Sequence, residues 1–233
     1  MRNQIILFKE CFAQTWLETR KNLRRLLQFG SACFLLLLLA QVPLLLYLLS
    51  CGFDAKNGNL FEFISLLEGS ALVLTLCLSV LAQLIAMCLL SGLIKAAIEL
   101  LAGAKPPLKR IFDCSDSFGR LASLFAVMNL AALVPVLLLG GFGGFFSMLA
   151  LVIAMFAVMR LLLAIVPISG SDIPLRAAIA ECILKTARKS TLIFILMGLA
   201  ICTMLLSIYS LGLTNIIALP FIAMLLTNIY RRL

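Results

Sequence analysis

Long uninterrupted apolar runs divide the 233-residue chain into hydrophobic stretches and short polar connections. Barrel strands would alternate in polarity over roughly ten residues, whereas runs such as CFLLLLLAQVPLLLYLL are continuous, so the pattern predicts helices. A helix that crosses a bilayer needs about 20 mostly apolar residues. An additional run, Leu60–Leu67, is too short to span and is expected to dip into the outer interface. Six spans are predicted: Ser31–Ser50, Ala71–Ile94, Leu121–Leu139, Phe145–Val166, Thr191–Leu211 and Thr214–Tyr230.

Basic residues alternate between rich and poor connections along this series of spans. Of the 19 lysines and arginines, 17 fall before the first span, in every second connection, or after the last span. Arg160 lies in the fourth span near the end on that same side, and only Lys56 falls on the other side. Basic residues beside spans stay on the cytoplasmic side of a membrane. We therefore expect an inner-membrane protein whose N- and C-termini are both cytoplasmic. The glycine-rich letters GGFGGFF, at 140–146, are expected to form a tight outer hairpin.

The composition is that of a membrane protein and indicates which classes of partner to expect. Hydrophobic residues make up 64% of the chain and charged residues 12%, against about half and a quarter in soluble domains. The net charge of +9 is read as an orientation signal that contacts anionic lipid head groups. No nucleic-acid partner is expected, since the basic residues are not interleaved with base-stacking aromatics.

The stretch Ile173–Lys189 predicts an amphipathic helix between the fourth and fifth spans. Asp172 or Ser171 is expected to cap its start, and Pro174 suits the first turn. An amphipathic helix of this kind lies on the membrane surface. Its apolar face is predicted to carry Leu175, Ile179, Cys182, Ile183 and Thr186. The N-terminal segment repeats the design, with Phe8, Phe12, Trp16, Thr19 and Leu23 on one face.

These two segments are also similar in sequence. Aligning FKECFAQTWLETRK with LRAAIAECILKTAR at an offset of 167 positions pairs Ala13 with Ala180, Leu17 with Leu184 and Thr19 with Thr186. A third segment, KPPLKRIFDCSDSFGRLASLF, occupies the matching place before the third span. The fold expected is all-α: a polytopic membrane protein with six transmembrane helices, cytoplasmic amphipathic helices and three parallel hairpin repeats. The repeat-like units are about 1–94, 95–166 and 167–233, within a single integral membrane domain of residues 1–233.

Two sets of side chains are candidates for function. Polar side chains inside spans either bond helix to helix or line a cavity, and an intramembrane charge is a functional candidate by default. The candidate intramembrane polar site is Gln41, Gln83, Asn129 and Arg160. The candidate anionic-lipid surface is Arg20, Lys21, Arg24, Arg25, Lys185, Arg188 and Lys189.

Little in the sequence supports catalysis. The chain has no histidine, which excludes histidine-based acid–base chemistry and most zinc sites. No carboxylate lies within a span, which counts against a proton-coupled transporter. The eight cysteines are scattered without a C-x-x-C pair, so free thiols are expected, and no catalytic residue, metal or cofactor.

Two segments resemble a family of poorly characterised bacterial six-helix membrane proteins. They are SGLIKAAIELLAGAKPPLKRIFDCSDSFGRL and RLLLAIVPISGSDIPLRAAIAECILKTARKSTLIFIL. The resemblance is to the YciC-like proteins, and to the membrane domain attached to some glycerophosphodiester phosphodiesterases. The chain departs from the family at Cys182, where a serine is more common. The matching residues are Gly92, Gly103, Lys105, Pro107, Phe112, Arg160, Pro167, Ala177 or Ala178, Lys185 and Lys189.

The resemblance implies a six-helix fold in a bacterial inner membrane. It implies no activity, because the phosphodiesterase chemistry belongs to a separate soluble domain. The expected role is therefore non-enzymatic, in membrane organisation or lipid association, with membrane lipids as partners. The alternative is a channel or permease for a small solute or lipid, and an integral membrane enzyme ranks third. Convergence of Gln41, Gln83, Asn129 and Arg160 on a cavity would favour transport or lipid handling.

Overall fold

A computed structural model describes residues 2–53, 67, 69–139, 143–210 and 212–233. Every regular element in these ranges is helical, which confirms the all-α prediction. Two 3₁₀ turns, Leu108–Phe112 and Ser115–Ser117, lie between the third and fourth helices. The α-helices are α1 (Arg2–Lys21), α2 (Leu23–Ser50), α3 (Gly69–Leu101), α4 (Phe118–Leu139), α5 (Gly144–Leu162), α6 (Ile165–Gly170), α7 (Leu175–Thr186), α8 (Ser190–Tyr209) and α9 (Asn215–Arg232).

Five helical segments in the described ranges are long and apolar enough to cross a membrane. They are Leu23–Ser50, Gly69–Leu101, Leu108–Leu139, Gly144–Gly170 and Ser190–Tyr209. The sixth predicted span coincides with α9, which is shorter and ends in two arginines. Most of the short apolar run at Leu60–Leu67, Lys56 and the first three glycines of the 140–146 turn lie outside the described residues.

The fourth predicted span, Phe145–Val166, lies within the segment Gly144–Gly170, but its helix is interrupted. Helix α5 ends at Leu162, and α6 begins at Ile165 after a tighter turn. Pro167 has no N–H with which to bond the carbonyl of Leu163, four residues earlier. That carbonyl instead accepts the Val166 N–H at 3.2 Å.

Helices α1 and α2 follow each other with only Asn22 between them, and together they pack along α9. Since α9 runs in the opposite direction, the start of α1 lies near its end. Arg232 donates to Glu10 at 2.9 Å, and Asn228 donates to Thr15 at 2.8 Å. Further along, Gly30 brings α2 onto the backbone of α9: a Cβ at this position would lie 1.7 Å from the Ile216 carbonyl oxygen.

The face that α1 turns to the bundle differs from the predicted apolar face. Cys11, Thr15 and Thr19 are buried, whereas Phe12 and Trp16 are exposed. Small side chains allow α1 to approach α9 closely, and larger ones remain on the outside. The aromatic side chains only flank the contact: the ring centroids of Phe12 and Phe221 are 5.3 Å apart.

The helix predicted at Ile173–Lys189 is present but shorter, as α7. Pro174 is its N-cap residue, and no side chain caps the start, so the predicted cap by Asp172 or Ser171 was wrong. Asp172 instead pairs with Arg120 at 2.9 Å. Ala178, Cys182 and Thr186 form the buried face of the helix, with Leu175 and Ile179 partly buried, while Ile183 is exposed.

The connection before α4 forms the two 3₁₀ turns rather than an amphipathic α-helix. Pro106 and Pro107 cannot donate the backbone hydrogen bonds of an α-helix. The first turn packs on α3 where Gly92 has no side chain. A Cβ on Gly92 would lie 2.0 Å from the Ile111 carbonyl oxygen, and Ile111 is fully buried.

The tightly packed core lies at one end of the bundle, which we call the basic end because the arginine and lysine side chains of α7 and of the end of α9 lie there. Buried side chains concentrate in the halves of the helices nearest this end, for example Leu93–Leu100 of α3 and Ala223–Tyr230 of α9. The other halves of α2, α4, α5 and α8 expose large apolar side chains. The bundle is therefore closed at the basic end and opens toward the other end.

The helices that begin at Leu23, Phe118 and Ser190 can be aligned with one another at fixed offsets along the chain. The breaks before α2 and α8, at Asn22 and Lys189, are 167 positions apart. Each break residue has a carbonyl that accepts the N–H groups three and four residues later. The same offset aligns buried residues of α1 with buried residues of α7 in the sequence: Cys11, Thr15 and Thr19 correspond to Ala178, Cys182 and Thr186. An offset of 95 aligns the start of α2 with the start of α4. It also aligns three buried residues of α2 with three buried residues of α4, namely Leu26, Phe29 and Cys33 with Leu121, Leu124 and Met128.

Candidate functional site

An apolar cavity of about 380 Å³ lies above the packed core, between α2, α3, α4, α5 and α9. Its lining comes from five helices because these helices separate as they leave the basic end. Apart from two amides, every lining side chain is apolar or a thiol. The lining residues are Cys33, Leu37, Gln83, Ala86, Met87, Leu89, Leu90, Leu93, Phe125, Met128, Asn129, Ala132, Val158 and Leu219.

Gln83 on α3 and Asn129 on α4 bring the only amide groups to this cavity. Asn129 donates from Nδ2 to the Phe125 carbonyl at 2.8 Å, and its Oδ1 accepts no hydrogen bond from any described residue. The Gln83 side chain makes no hydrogen bond to any described residue. A primary amide can donate two and accept two hydrogen bonds. The two amides therefore offer both donors and acceptors to a molecule in the cavity.

The other two residues of the predicted polar site do not reach the cavity. Gln41 is exposed on α2, beyond the lining residues Cys33 and Leu37. Arg160 lies near the end of α5, where its Nε donates to the Thr186 hydroxyl at 3.2 Å. The four predicted residues therefore do not all line one cavity, because sequence spacing along a span does not tell which way each side chain faces.

Arg160 makes three contacts, one with a ring on its own helix and two with α7. Its guanidinium carbon lies 5.4 Å from the centroid of the Phe156 ring. Its backbone carbonyl accepts the Cys182 thiol at 2.9 Å, and its Nε bonds Thr186 as described. Burial raises the pKa of the Cys182 thiol to about 11, so this thiol stays protonated and can donate.

The predicted anionic-lipid surface divides into paired and unpaired side chains. Lys21 pairs with Glu18 at 2.8 Å, and Lys185 pairs with Glu181 at 2.9 Å. Lys189 donates to the backbone carbonyl of Leu233 at 3.2 Å. These three lysines are engaged within the protein. Among the described residues, no carboxylate pairs with the other four members of the surface, which are Arg20, Arg24, Arg25 and Arg188.

Lys185 also contacts two other side chains, Glu181 on α7 and Tyr230 on α9. Its hydrogen bond to Glu181 holds the pKa of that carboxyl below the ordinary value of 4.5. Its ammonium lies 4.1 Å from the centroid of the Tyr230 ring, at the end of α9. Lys185 therefore links α7 to the last turns of α9.

Sequence reasoning missed three polar contacts that hold the basic end together. Asn228 bonds Thr15 between α9 and α1, and the hydroxyls of Ser91 and Ser169 lie 2.7 Å apart between α3 and α6. Arg120 donates to the carbonyls of Ser171 and Ile173 at 3.2 and 3.1 Å. The bonded residues are 51 to 213 positions apart along the chain. No local pattern identifies such partners.

Within the described residues, no group of three or more histidine, cysteine, aspartate or glutamate side chains is arranged to hold a metal ion. The expectation that no cofactor is bound stays a prediction. Comparison of the chain with protein-family models, with curated proteins and with solved structures found no match. The function must therefore be argued from the cavity and the charged surface.

Proposed function

We propose that this protein is a non-enzymatic membrane protein that binds an uncharged lipid in the cavity between α2, α3, α4, α5 and α9. The observation that carries the proposal is the placement of Gln83 and Asn129 on an otherwise apolar cavity of about 380 Å³. This volume falls in the range of roughly 300–1,000 Å³ typical of small-molecule sites. Sites of that kind combine apolar walls with a few polar groups that orient the ligand.

The absence of charge in the lining defines the class of ligand. No lysine, arginine, aspartate or glutamate lines this cavity. Moving an unpaired charged group out of water costs many kcal/mol, and the lining offers no opposite charge to offset that cost. A hydroxyl or carbonyl group costs far less and can bond both amides. The ligand proposed is therefore a long-chain lipid with a neutral hydroxyl or carbonyl, such as a fatty alcohol or a diacylglycerol.

A channel or permease for a polar solute is less well supported. A water-filled path needs polar side chains along its length, and Gln41 and Arg160 lie away from Gln83 and Asn129. The apolar lining instead suits a hydrocarbon chain. Because the halves of α2, α4, α5 and α8 away from the basic end expose large apolar side chains, a lipid is proposed to enter the cavity laterally from the bilayer.

We further propose six spans, with α9 as the sixth, and three parallel repeats with both termini in the cytoplasm. The recurring helix starts at Leu23, Phe118 and Ser190 support the repeats. Helix α9 carries polar residues and Pro220 because α1, α2 and α3 enclose much of it. The resemblance to the YciC-like proteins supports the same architecture and a bacterial inner membrane, and it stays a prediction.

The basic end is proposed to rest on the anionic inner surface of that membrane. Leu17 and Leu184 occupy matching positions of α1 and α7 and are 57% and 77% exposed. Such side chains can enter the lipid interface while Arg20, Arg24 and Arg188 contact head groups. Arg20 lies over the Trp16 ring at 5.9 Å, and tryptophan is enriched at membrane interfaces.

The lipid-binding proposal is tested by the thermal stability of the purified protein in phosphatidylcholine nanodiscs. A ligand that binds only the folded state raises the melting temperature in a saturable way. We expect a fatty alcohol to raise it and the fatty acid of equal chain length, ionised at neutral pH, to do so far less. Gln83→Leu and Asn129→Leu should reduce the shift. Gln41→Leu, an equivalent change outside the cavity, should leave it intact.

Equal shifts with alcohol and acid would contradict the argument from charge. Equal shifts in Gln83→Leu, Asn129→Leu and the wild type would show that the amides do not contact the ligand. No saturable shift with any lipid would refute lipid binding in the cavity and favour a scaffold that acts through protein partners.

A further inference from the structure

A second lipid site, independent of the cavity, is indicated by the environment of Arg160. Intramembrane arginines normally pair with an acid, with backbone carbonyls or with another counter-group. In the described part of the chain, the only bond of the Arg160 side chain is the one from Nε to the Thr186 hydroxyl. Its two terminal nitrogens have no protein acceptor there.

The nearby acidic side chain is already neutralised. Glu181 on α7, one residue before the Cys182 that bonds Arg160, is paired with Lys185 at 2.9 Å. Helix α8 presents Phe194 on this side, and α5 itself presents Phe156. None of these groups offsets the positive charge of Arg160. Among the described residues, the guanidinium of Arg160 is therefore partly buried and no carboxylate pairs with it.

The arginine is also held in place for binding. Its backbone, its Nε and the face of its guanidinium each have a contact, to Cys182, Thr186 and Phe156 respectively. The free terminal nitrogens form a planar fork, which matches two oxygens of a phosphate group. Because the side chain is fixed before binding, less conformational entropy is lost when the phosphate is bound.

An apolar surface lies beside the fork. The rings of Phe156 and Phe194 are in contact, with centroids 5.2 Å apart, and Phe194 is exposed. Phe156 lies one helical turn farther from the basic end than Arg160 does. Phe194 lies one turn farther from it than the start of α8. Both rings are therefore on the side of the apolar halves of the helices. A molecule with its phosphate on Arg160 can therefore lay a hydrocarbon chain over these rings.

We propose that Arg160 binds the phosphate of an anionic phospholipid, whose acyl chain packs on Phe156 and Phe194 between α5 and α8. This site is separate from the cavity, since no residue of the pair Phe156 and Phe194 lines it. It also differs from the exposed arginines of the basic surface. It holds one lipid by a fixed fork rather than many by general attraction.

The test is the retention of phosphatidylglycerol by the full-length protein, measured by native mass spectrometry from detergent with phosphatidylcholine as reference lipid. We expect one phosphatidylglycerol to bind the wild type at saturation. Arg160→Gln should weaken that binding roughly tenfold or more, as expected for loss of a charge-assisted bond, and Arg160→Lys should weaken it less. Arg176→Gln, the same change of charge at an exposed position of α7 outside both proposed lipid contacts, is the matched control and should bind as the wild type does.

Phe194→Leu keeps every charge and provides a second variant if Arg160→Gln does not fold. It should weaken binding of long-chain phosphatidylglycerol but not of a short-chain form. Displacement of the lipid by inorganic phosphate at similar concentration would show a soluble-anion site and overturn the proposal. Equal binding by the wild type, Arg160→Gln and Arg160→Lys would overturn it as well. Neither result bears on the cavity, which is tested with uncharged lipids and with Gln83 and Asn129.

Discussion

Replacing Gly30 by alanine should destabilise the fold, although alanine is the better helix former. Gly30 lies on α2 where the backbone of α9 crosses it. The new Cβ would lie 1.7 Å from the Ile216 carbonyl oxygen, whereas Cβ contacts below 3.0 Å essentially do not occur. Helix α9 must therefore move by about 1.3 Å or more, the difference between those two distances. No side-chain rotation can relieve the contact, because the obstructing atom belongs to the backbone.

The size of the effect follows from two opposing terms. Overpacking costs about 1–3 kcal/mol, and a backbone obstruction places Gly30→Ala near the upper end. Alanine in a helix recovers up to about 1 kcal/mol relative to glycine. The net destabilisation expected is about 2 kcal/mol. Gly198→Ala, on α8, is the matched control, because a Cβ there meets nothing within 4 Å, and it should be neutral or slightly stabilising.

The measurement is the free energy of unfolding of both variants in mixed micelles, titrated with a denaturing detergent. Gly92→Ala, whose Cβ would lie 2.0 Å from the Ile111 carbonyl oxygen, should behave as Gly30→Ala does. If Gly30→Ala and Gly198→Ala differ by less than a few tenths of a kcal/mol, the close contact of α2 with α9 is wrong. The packing of α1 along α9 would then lose its support.

Three further predictions concern the basic end. Thr15→Val should lower the free energy of unfolding by about 1–3 kcal/mol, because the buried Asn228 amide loses its partner; additivity with Asn228→Leu in a double-mutant cycle would contradict that bond. Cys182 should resist maleimide at pH 8 until the protein is unfolded, since a thiol with a pKa of about 11 is roughly one-thousandth ionised there. Leu184→Cys, exposed on the same helix, should react at once, and equal rates would show that Cys182 is accessible. Glu181 has a lowered pKa in the folded protein, so its contribution to stability is complete above the carboxyl's unfolded-state pKa and is lost as the pH falls through the folded-state pKa. Glu181→Gln should reduce the loss of unfolding free energy at acid pH. An unchanged loss would show that other carboxyls cause it.

The hydrophobic pattern predicted most of the helices because span length and polarity are local properties. Ser31–Ser50 lies within α2, and Ala71–Ile94 lies within α3. The break at Leu163 was not predicted, because the missing N–H of Pro167 takes effect four residues earlier, inside an apolar run. The packing of α1 was predicted wrongly because its aromatic residues suggested that their face would be the buried one. The small residues Cys11 and Thr15 form the contact instead.

The candidate site was only half predictable for a similar reason. Gln83 and Asn129 stood out as polar residues in apolar spans, and the fold brings both to one cavity. Gln41 stood out equally, yet it faces away. Which side of a span faces its neighbours depends on how several helices pack together. The close backbone contacts at Gly30 and Gly92 help to determine this packing, and the pattern of polar and apolar residues does not reveal them.

Photo-crosslinking in nanodiscs tests the binding of an uncharged lipid most directly. A long-chain alcohol carrying a diazirine is bound, irradiated and mapped by peptide sequencing. We predict adducts concentrated on cavity residues such as Leu90 and Met128, lost in the cavity-filling variant Ala132→Trp and displaced by unlabelled alcohol but not by the matching fatty acid. Adducts spread evenly over outward-facing residues such as Leu137 and Leu205, unchanged by Ala132→Trp, would contradict the proposal.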